Sequence, residues 1–277
     1  MKTVNKNPRI IAFGKAKGGS GATTVGGAFA VQLARLGRNV AVVDLDVNAK
    51  ITWALLEGER APGFYNWFGA VPCEPDQFTP DWIRTRFQYN VQRARPNLDL
   101  WVLPGDPMTL AAESVATSMR WPETRLKDML RSLTCYDYIL LDGPDTGSLP
   151  RMGLIAADMI LAFSALRVID QESIEILASL IGSVRDDNPT TWIVPNRYDG
   201  RVRNACDPLL ADIKSAVTQA QEAGMDWRLC DPIGEAVALD TALKLHRTLP
   251  EVRPSHPVAR QITALAKQVD DYFFKKE

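Results

Sequence analysis

An α/β fold, with a mostly parallel sheet and helices on both faces, is predicted by three observations. Short apolar runs recur at Arg9-Ile10-Ile11-Ala12-Phe13, Val40-Ala41-Val42-Val43, Leu98-Asp99-Leu100-Trp101-Val102-Leu103, Tyr138-Ile139-Leu140-Leu141, Met159-Ile160-Leu161-Ala162-Phe163 and Thr191-Trp192-Ile193-Val194. Most of these runs are nearly continuous rather than alternating, which marks strands covered on both sides. Helical stretches separate most of them, and strands that alternate with helices pair in parallel. Ligands bind such sheets at the carboxyl ends of the strands, so the residues that follow each run are the ones to read for chemistry.

The N-terminal stretch 1–8 has no apolar segment and is expected to be a tail before one domain covering 9–277. The first strand enters Lys15-Ala16-Lys17-Gly18-Gly19-Ser20-Gly21-Ala22-Thr23-Thr24. A helix follows, because Val25, Phe29, Leu33 and Leu36 fall on one face and Gly37 offers a left-handed stop. Strand, glycine loop and helix in that order form a phosphate-binding arrangement, in which backbone N–H groups and the helix start cradle an anion. The standard loop ends in Gly-Lys-Ser/Thr, with the lysine reaching the β/γ-phosphates. Here that lysine is replaced by Ala22.

The second strand ends at Asp44-Leu45-Asp46, where extended backbone sends both carboxylates to the same side. The segment 58–96 then breaks the rhythm: Pro62, Pro72, Pro75 and Pro80 interrupt Phe64, Tyr65, Trp67, Phe68, Trp82 and Phe87. It is expected to be an irregular excursion with short helices, forming either a satellite core, the favoured reading, or a partner-binding surface. The fourth run closes on Asp142, an acid after four apolar residues, which in P-loop NTPases holds Mg²⁺. The last helix sets Val258, Ile262, Leu265, Val269 and Phe273 on one face. Its polar side, carrying Asp270, Asp271 and Glu277 beside Lys267, Lys275 and Lys276, lacks the cationic bias of a membrane-surface helix.

The run Lys-Gly-Gly-x-Gly-x-Thr-Thr resembles the deviant Walker A motif of the ParA/MinD family, whose signature lysine stands at the front of the loop, here Lys17. The resemblance extends over nearly the whole chain and implies a single-domain P-loop NTPase fold. It implies ATP and Mg²⁺ as cofactors, with Gly18, Gly19, Ser20, Gly21, Ala22, Thr23 and Thr24 around the phosphates and Thr23, Asp44 and Asp142 around the metal. Asp46 matches the acid that positions or activates the attacking water, and Lys17 reaches the partner's phosphates in an ATP-dependent homodimer. Asn196-Arg197-Tyr198 resembles the adenine-side loop, with Asn196 reading the base edge unless it is only a turn former, and Pro232-Ile233 begins the segment that closes over the base. Relatives continue after the Walker A′ acid with Pro-Gln, whereas this chain has Val47-Asn48.

Family members of the ParA branch bind DNA non-specifically, position plasmids, chromosomes or large protein cargo, and answer to a small ParB-like or cargo adaptor that stimulates hydrolysis. The resemblance therefore implies a cytoplasmic, nucleoid-associated switch. Arg201, Arg203, Lys244 and Arg247 are the candidate DNA contacts, against the alternative of an ordinary solvated face. The loss of a lysine at position 22 implies slow hydrolysis, since removing charge aimed at a transition state costs about 10²–10³ in rate. Ala22 is either natural, as in ATPase-like proteins of pilus and secretion assembly, or a substitution that traps the ATP state. Two other classes compete: a weakly hydrolysing positioning protein of the CpaE/TadZ kind, favoured by Ala22, and a metabolic P-loop enzyme akin to dethiobiotin synthetase or the nitrogenase iron protein.

Composition excludes several other functions. The 277 residues are 46% hydrophobic and 23% charged, with net charge −1, so the surface as a whole is no nucleic-acid footprint. No apolar run approaches the roughly 20 residues that span a bilayer. Cys73, Cys135, Cys206 and Cys230 form no C-x-x-C pair and have no nearby histidine set, so they read as ordinary thiols rather than a zinc site, a cluster site or a disulfide framework.

Overall fold

In the computed structural model, which describes residues 7–15, 17–57, 63–69, 79–118, 122–167 and 173–275, the apolar runs become strands of one sheet. These are β1 (Arg9–Gly14), β2 (Val40–Asp44), β4 (Leu100–Leu103), β5 (Tyr138–Asp142), β6 (Met159–Ala165) and β7 (Thr190–Asn196). The sheet order is β3-β4-β2-β5-β1-β6-β7-β8, with β3 (Gln92–Arg93) at one edge and β8 (Trp227–Leu229) at the other. Every pairing is parallel except β3 with β4. The fold is the single-domain α/β fold of P-loop NTPases.

Strand side chains alternate between two apolar layers, which explains why the runs are apolar throughout. Ile10, Ala12, Ile139 and Leu141 point into one layer, and Ile11, Phe13, Tyr138 and Leu140 into the other. The second layer is closed by α1 (Ala22–Arg35) and α11 (Pro257–Phe274), which pack on each other. Val25, Phe29 and Leu33 of α1 and Val258, Ile262, Leu265 and Val269 of α11 are buried there, each burial stabilising by about 1.5–3 kcal/mol. Gly37 ends the first helix at φ +84°.

Three expectations need correction. Leu36 is 45% exposed rather than a member of the helical stripe, because it is the C-cap of a helix that ends at Arg35, its single backbone N–H shared between the Gln32 and Leu33 carbonyls. Asp270 does not belong to a polar face of α11. It is buried, takes two hydrogen bonds from Arg38 at 2.7 and 3.0 Å and one from the Tyr138 hydroxyl at 3.0 Å, and ties α11 to β5. The described part of 58–96 is not a satellite: a π-helical turn at Tyr65–Gly69 and α3 (Pro80–Asn90) bury Phe64, Trp67, Phe68 and Phe87 in the main core, where Phe87 meets Tyr136 edge-on. Pro62, Pro72, Pro75 and Cys73 lie outside the described residues, as do residues 1–6, Lys276 and Glu277.

The remaining helices are α2 (Lys50–Leu55), α4 (Thr109–Ser118), α5 (Pro122–Arg131), α6 (Ser148–Ala156), α7 (Ser173–Val184), α8 (Arg203–Glu222), α9 (Val237–Leu243) and α10 (Leu249–Val252). Among the described residues no helix is long and apolar enough to cross a membrane.

Candidate functional site

β5 lies between β2 and β1, so three strand ends bring the glycine loop, Asp44 and Asp142 into one neighbourhood. The loop leaves β1, and α1 starts behind Gly21, whose φ is +84°. A side chain at Gly21 would also overlap the amide of Asn196. No side chain caps α1, so the donors of its first turn are left for an anion. Ser20 Oγ is buried without a partner, and Ala22 is buried at the first helical position, where it brings no charge. Lys17 is exposed at the front of the loop.

The carboxylates divide into distinct roles. Asp44 is register partner to Asp142 and fully buried. Its Oδ1 accepts from the Asp46 N–H at 3.0 Å, and its Oδ2 from the Thr52 N–H at 3.1 Å and the Thr52 hydroxyl at 2.6 Å. Both oxygens thus accept from the start of α2 and the turn after β2, which ties this strand end to the next helix. Burial, then the charge of Asp142, pushes the Asp44 carboxyl up to about 7.

Asp142 keeps an oxygen for a ligand. Lys15 Nζ lies 3.3 Å from Oδ1, while Oδ2 is buried with no partner. Burial raises the Asp142 pKa, opposed chiefly by the Lys15 ammonium and then by the Thr23 hydroxyl. Asp46 is nearly buried; its Oδ1 accepts from both the backbone and the side-chain amide of Asn48 at 2.9 Å. The Val47-Asn48 departure therefore has a local consequence: it clamps one oxygen of the acid expected to handle water.

Beside the loop a cleft of about 120 Å³ is lined by Gly21, Thr24, Val25, Asn196, Arg197 and residues 234–240 except Ala238. Its lining mixes Val25, Val237 and Leu239 with Thr24, Asn196, Arg197, Glu235 and Asp240, so a ligand there meets apolar surface and polar groups together. Asn196 lies at this cleft, but its Nδ2 donates to the Ser20 carbonyl at 2.6 Å, so in the structure it holds the loop. Pro232 is not among the lining residues; the chain reaches the cleft two residues later, after the Ile233 N–H has bonded the Pro195 carbonyl. Arg197, at φ +61°, donates from Nε to the Gly19 carbonyl at 2.9 Å and pairs with Glu235 at 3.2 Å, linking the loop to the cleft wall. The residues present fit a nucleoside triphosphate with a divalent cation: open helix donors, an orphaned hydroxyl at Ser20 and an orphaned carboxylate oxygen at Asp142 all face this end of the sheet.

The candidate DNA contacts sit on two elements. Arg203 opens α8 and is exposed, while Arg201 just before it is held by Asp199 at 2.7 Å. Lys244 follows α9 and is exposed, and Arg247 pairs with Glu57. Two of the four cations are therefore already matched by carboxylates. Cys206 and Cys230 are buried and Cys135 half-buried, with burial pushing the Cys230 thiol up to about 12, which suits inert thiols. Among the described residues no group of three His, Cys, Asp or Glu is arranged to hold a metal.

Lys15 and Thr52 have no motif role in the sequence, whereas Asn48 and Arg197 figure there only beside Asp46 and Asn196. Lys15 carried a signal, a lysine directly after an apolar strand and before the loop; Thr52 carried none.

A family model described as an AAA domain matches residues 8–192. The chromosome-partitioning ATPase Soj of Thermus thermophilus is 29% identical over 268 residues, 94% of this chain and 95% of Soj. An ATP complex of a McdA variant from Cyanothece superposes with a TM-score of 0.72 at 20% identity, covering 95% of this chain and 96% of McdA. The septum site-determining protein MinD of Pyrococcus horikoshii, complexed with Mg-ADP, gives 0.67 at 19% identity, with 98% and 99% covered. The structural likenesses establish a shared fold.

Proposed function

The chain belongs to the ParA/MinD family of AAA domains, and on that premise we propose that it is an ATP-driven positional switch. It binds ATP with Mg²⁺, closes into a homodimer, holds DNA without sequence preference and places a plasmid, chromosome or large protein cargo at the nucleoid. A small ParB-like or cargo adaptor stimulates its hydrolysis.

The observation that carries this reading is the meeting of uncapped α1 donors, the orphaned Asp142 Oδ2 and the half-clamped Asp46 at adjoining strand ends. The backbone of Gly18 to Thr24 holds the phosphates, and Thr23 with Asp142 holds the metal. Bound Mg²⁺ neutralises charge on the phosphate oxygens. Asp46, with one oxygen fixed by Asn48, orients the attacking water through the other. Lys17, exposed at the loop front, contacts the phosphates of a second copy. Asn196 and residues 234–240 enclose the base, Asn196 by holding the loop against the cleft.

Ala22 favours a second reading, a scaffold that binds ATP and dimerises with little turnover, and the Asn48 clamp on Asp46 points the same way. Light scattering and DNA retention with and without ATP test both. An ATP-dependent dimer that retains DNA supports the switch. A dimer without DNA retention or turnover supports the scaffold, and a chain indifferent to ATP overturns both.

A further inference from the structure

A second lysine stands at the phosphate end of the sheet. Lys15 is the first residue after β1, its side chain is 9% exposed, and its ammonium lies 3.3 Å from Asp142 Oδ1. With Gly143, Pro144 and Asp145 it lines a narrow cleft whose other walls are mostly apolar. The same end of the sheet carries Asp44 and Asp46, and Asp145 lies close enough to Gly18 that a Cβ there would come within 2.8 Å of its Oδ2. A polyphosphate approaching four carboxyl groups meets repulsion that low-dielectric surroundings amplify. In a standard loop the lysine at the helix start offsets this; here that position is Ala22.

We propose that Lys15 supplies from the strand side the positive charge that Ala22 withholds, so that nucleotide binding depends little on Mg²⁺. The inference rests on the ATP-binding reading above. Geometry supports it in two ways. The ammonium already sits against Asp142 Oδ1 and offsets its charge, leaving the buried Oδ2 as the remaining acceptor. A lysine also presents three donors on a flexible stem, so one ammonium can serve Asp142 and a phosphate oxygen together. Lys15 is thus a charge-balancing residue distinct from Lys17, which is exposed at the loop front.

The test is calorimetric titration of ATP in EDTA and in Mg²⁺, for the parent chain, K15M, K15R, A22K and K15M/A22K. The parent should bind in EDTA within about tenfold of its Mg²⁺ affinity. K15M should lose about tenfold or more in EDTA, the size of one charge-assisted hydrogen bond, and much less in Mg²⁺. K15R, and A22K placed in the K15M background, should restore EDTA binding, which a merely structural role for Lys15 would not produce. Parent-like binding of K15M in EDTA overturns the proposal, as does a parent that binds only with Mg²⁺. If K15M fails to fold, A22K alone decides: little gain in EDTA supports Lys15 as the existing source of charge, and a gain of about a hundredfold overturns it. Absence of ATP binding in every variant and both buffers overturns the ATP-binding reading itself, an outcome distinct from Mg²⁺-dependent binding.

Discussion

Asn196 Nδ2 donates a 2.6 Å hydrogen bond to the Ser20 carbonyl, so the carboxyl end of β7 holds the glycine loop in place. Asn196→Ala should destabilise the chain by about 1–3 kcal/mol, the cost of leaving a buried acceptor unpaired, and should weaken ATP binding. Gly21→Ala should be worse, because a Cβ there both overlaps the Asn196 amide and adopts φ +84°. Denaturant titration with ATP calorimetry checks the pair; a Gly21→Ala chain that binds ATP like the parent would refute the cradle.

Asp46→Ala is expected to remove residual hydrolysis while leaving ATP bound, if the proposed roles of Asp46 with the attacking water and Asp142 with the metal hold. Asp142→Asn should instead blunt the response of turnover to Mg²⁺. Phosphate release, measured beside ATP affinity, separates the two. Equal turnover in Asp46→Ala and the parent would reassign the water-handling role.

Thr52→Val removes the 2.6 Å hydroxyl bond to Asp44 and also the acceptor for the Gly105 N–H at 3.0 Å. The carboxyl of Asp44 is raised from its ordinary 3.8 to about 7, so within that window the native chain binds more protons than the unfolded one. Stability contributed here is full at low pH and is lost as pH rises through about 7. The hydroxyl donor serves the ionised form best, so Thr52→Val should cost about 1–3 kcal/mol at pH 8 and less at pH 5. Thermal unfolding at the two pH values reads the difference; a larger loss at pH 5 would contradict the assignment.

Lys17→Ala should abolish the ATP-induced dimer more completely than it weakens ATP binding, because a contact across the dimer exists only once the dimer forms. DNA retention should fall with it. Retention by the parent should weaken with salt at a log–log slope of about −0.9 per phosphate neutralised. Arg203→Ala should flatten that slope more than Arg201→Ala, since Arg201 is already held by Asp199. Salt-insensitive retention would exclude a phosphate-contact surface.

The sequence by itself determined the fold class, the six main strands and the placement of the phosphate loop. These depend on local signals: continuous apolar runs, a 3.6-residue stripe in α1, and glycines between the two. It also marked Asp46 and Asp142 as strand-end acids, because the apolar runs fix where β2 and β5 end: Asp142 is the last residue of β5 and Asp46 lies two residues after β2.

What only the tertiary structure decided are interactions between elements far apart in the chain. The edge strands β3 and β8 are two and three residues long, too short for any periodicity to mark. Asp270 reads as a polar-face residue until Arg38 and Tyr138, more than 130 positions away, claim it. Asp44 reads from the sequence as one of two strand-end acids, and only the fold brings the Thr52 hydroxyl onto its Oδ2, because α2 folds back over the end of β2. Lys15 and Asp142 are 127 residues apart, and they meet because β1 and β5 are neighbours in the sheet. Hydrophobic pattern is written along the chain, whereas the partner of a buried charge is set by strand order, which the pattern does not encode.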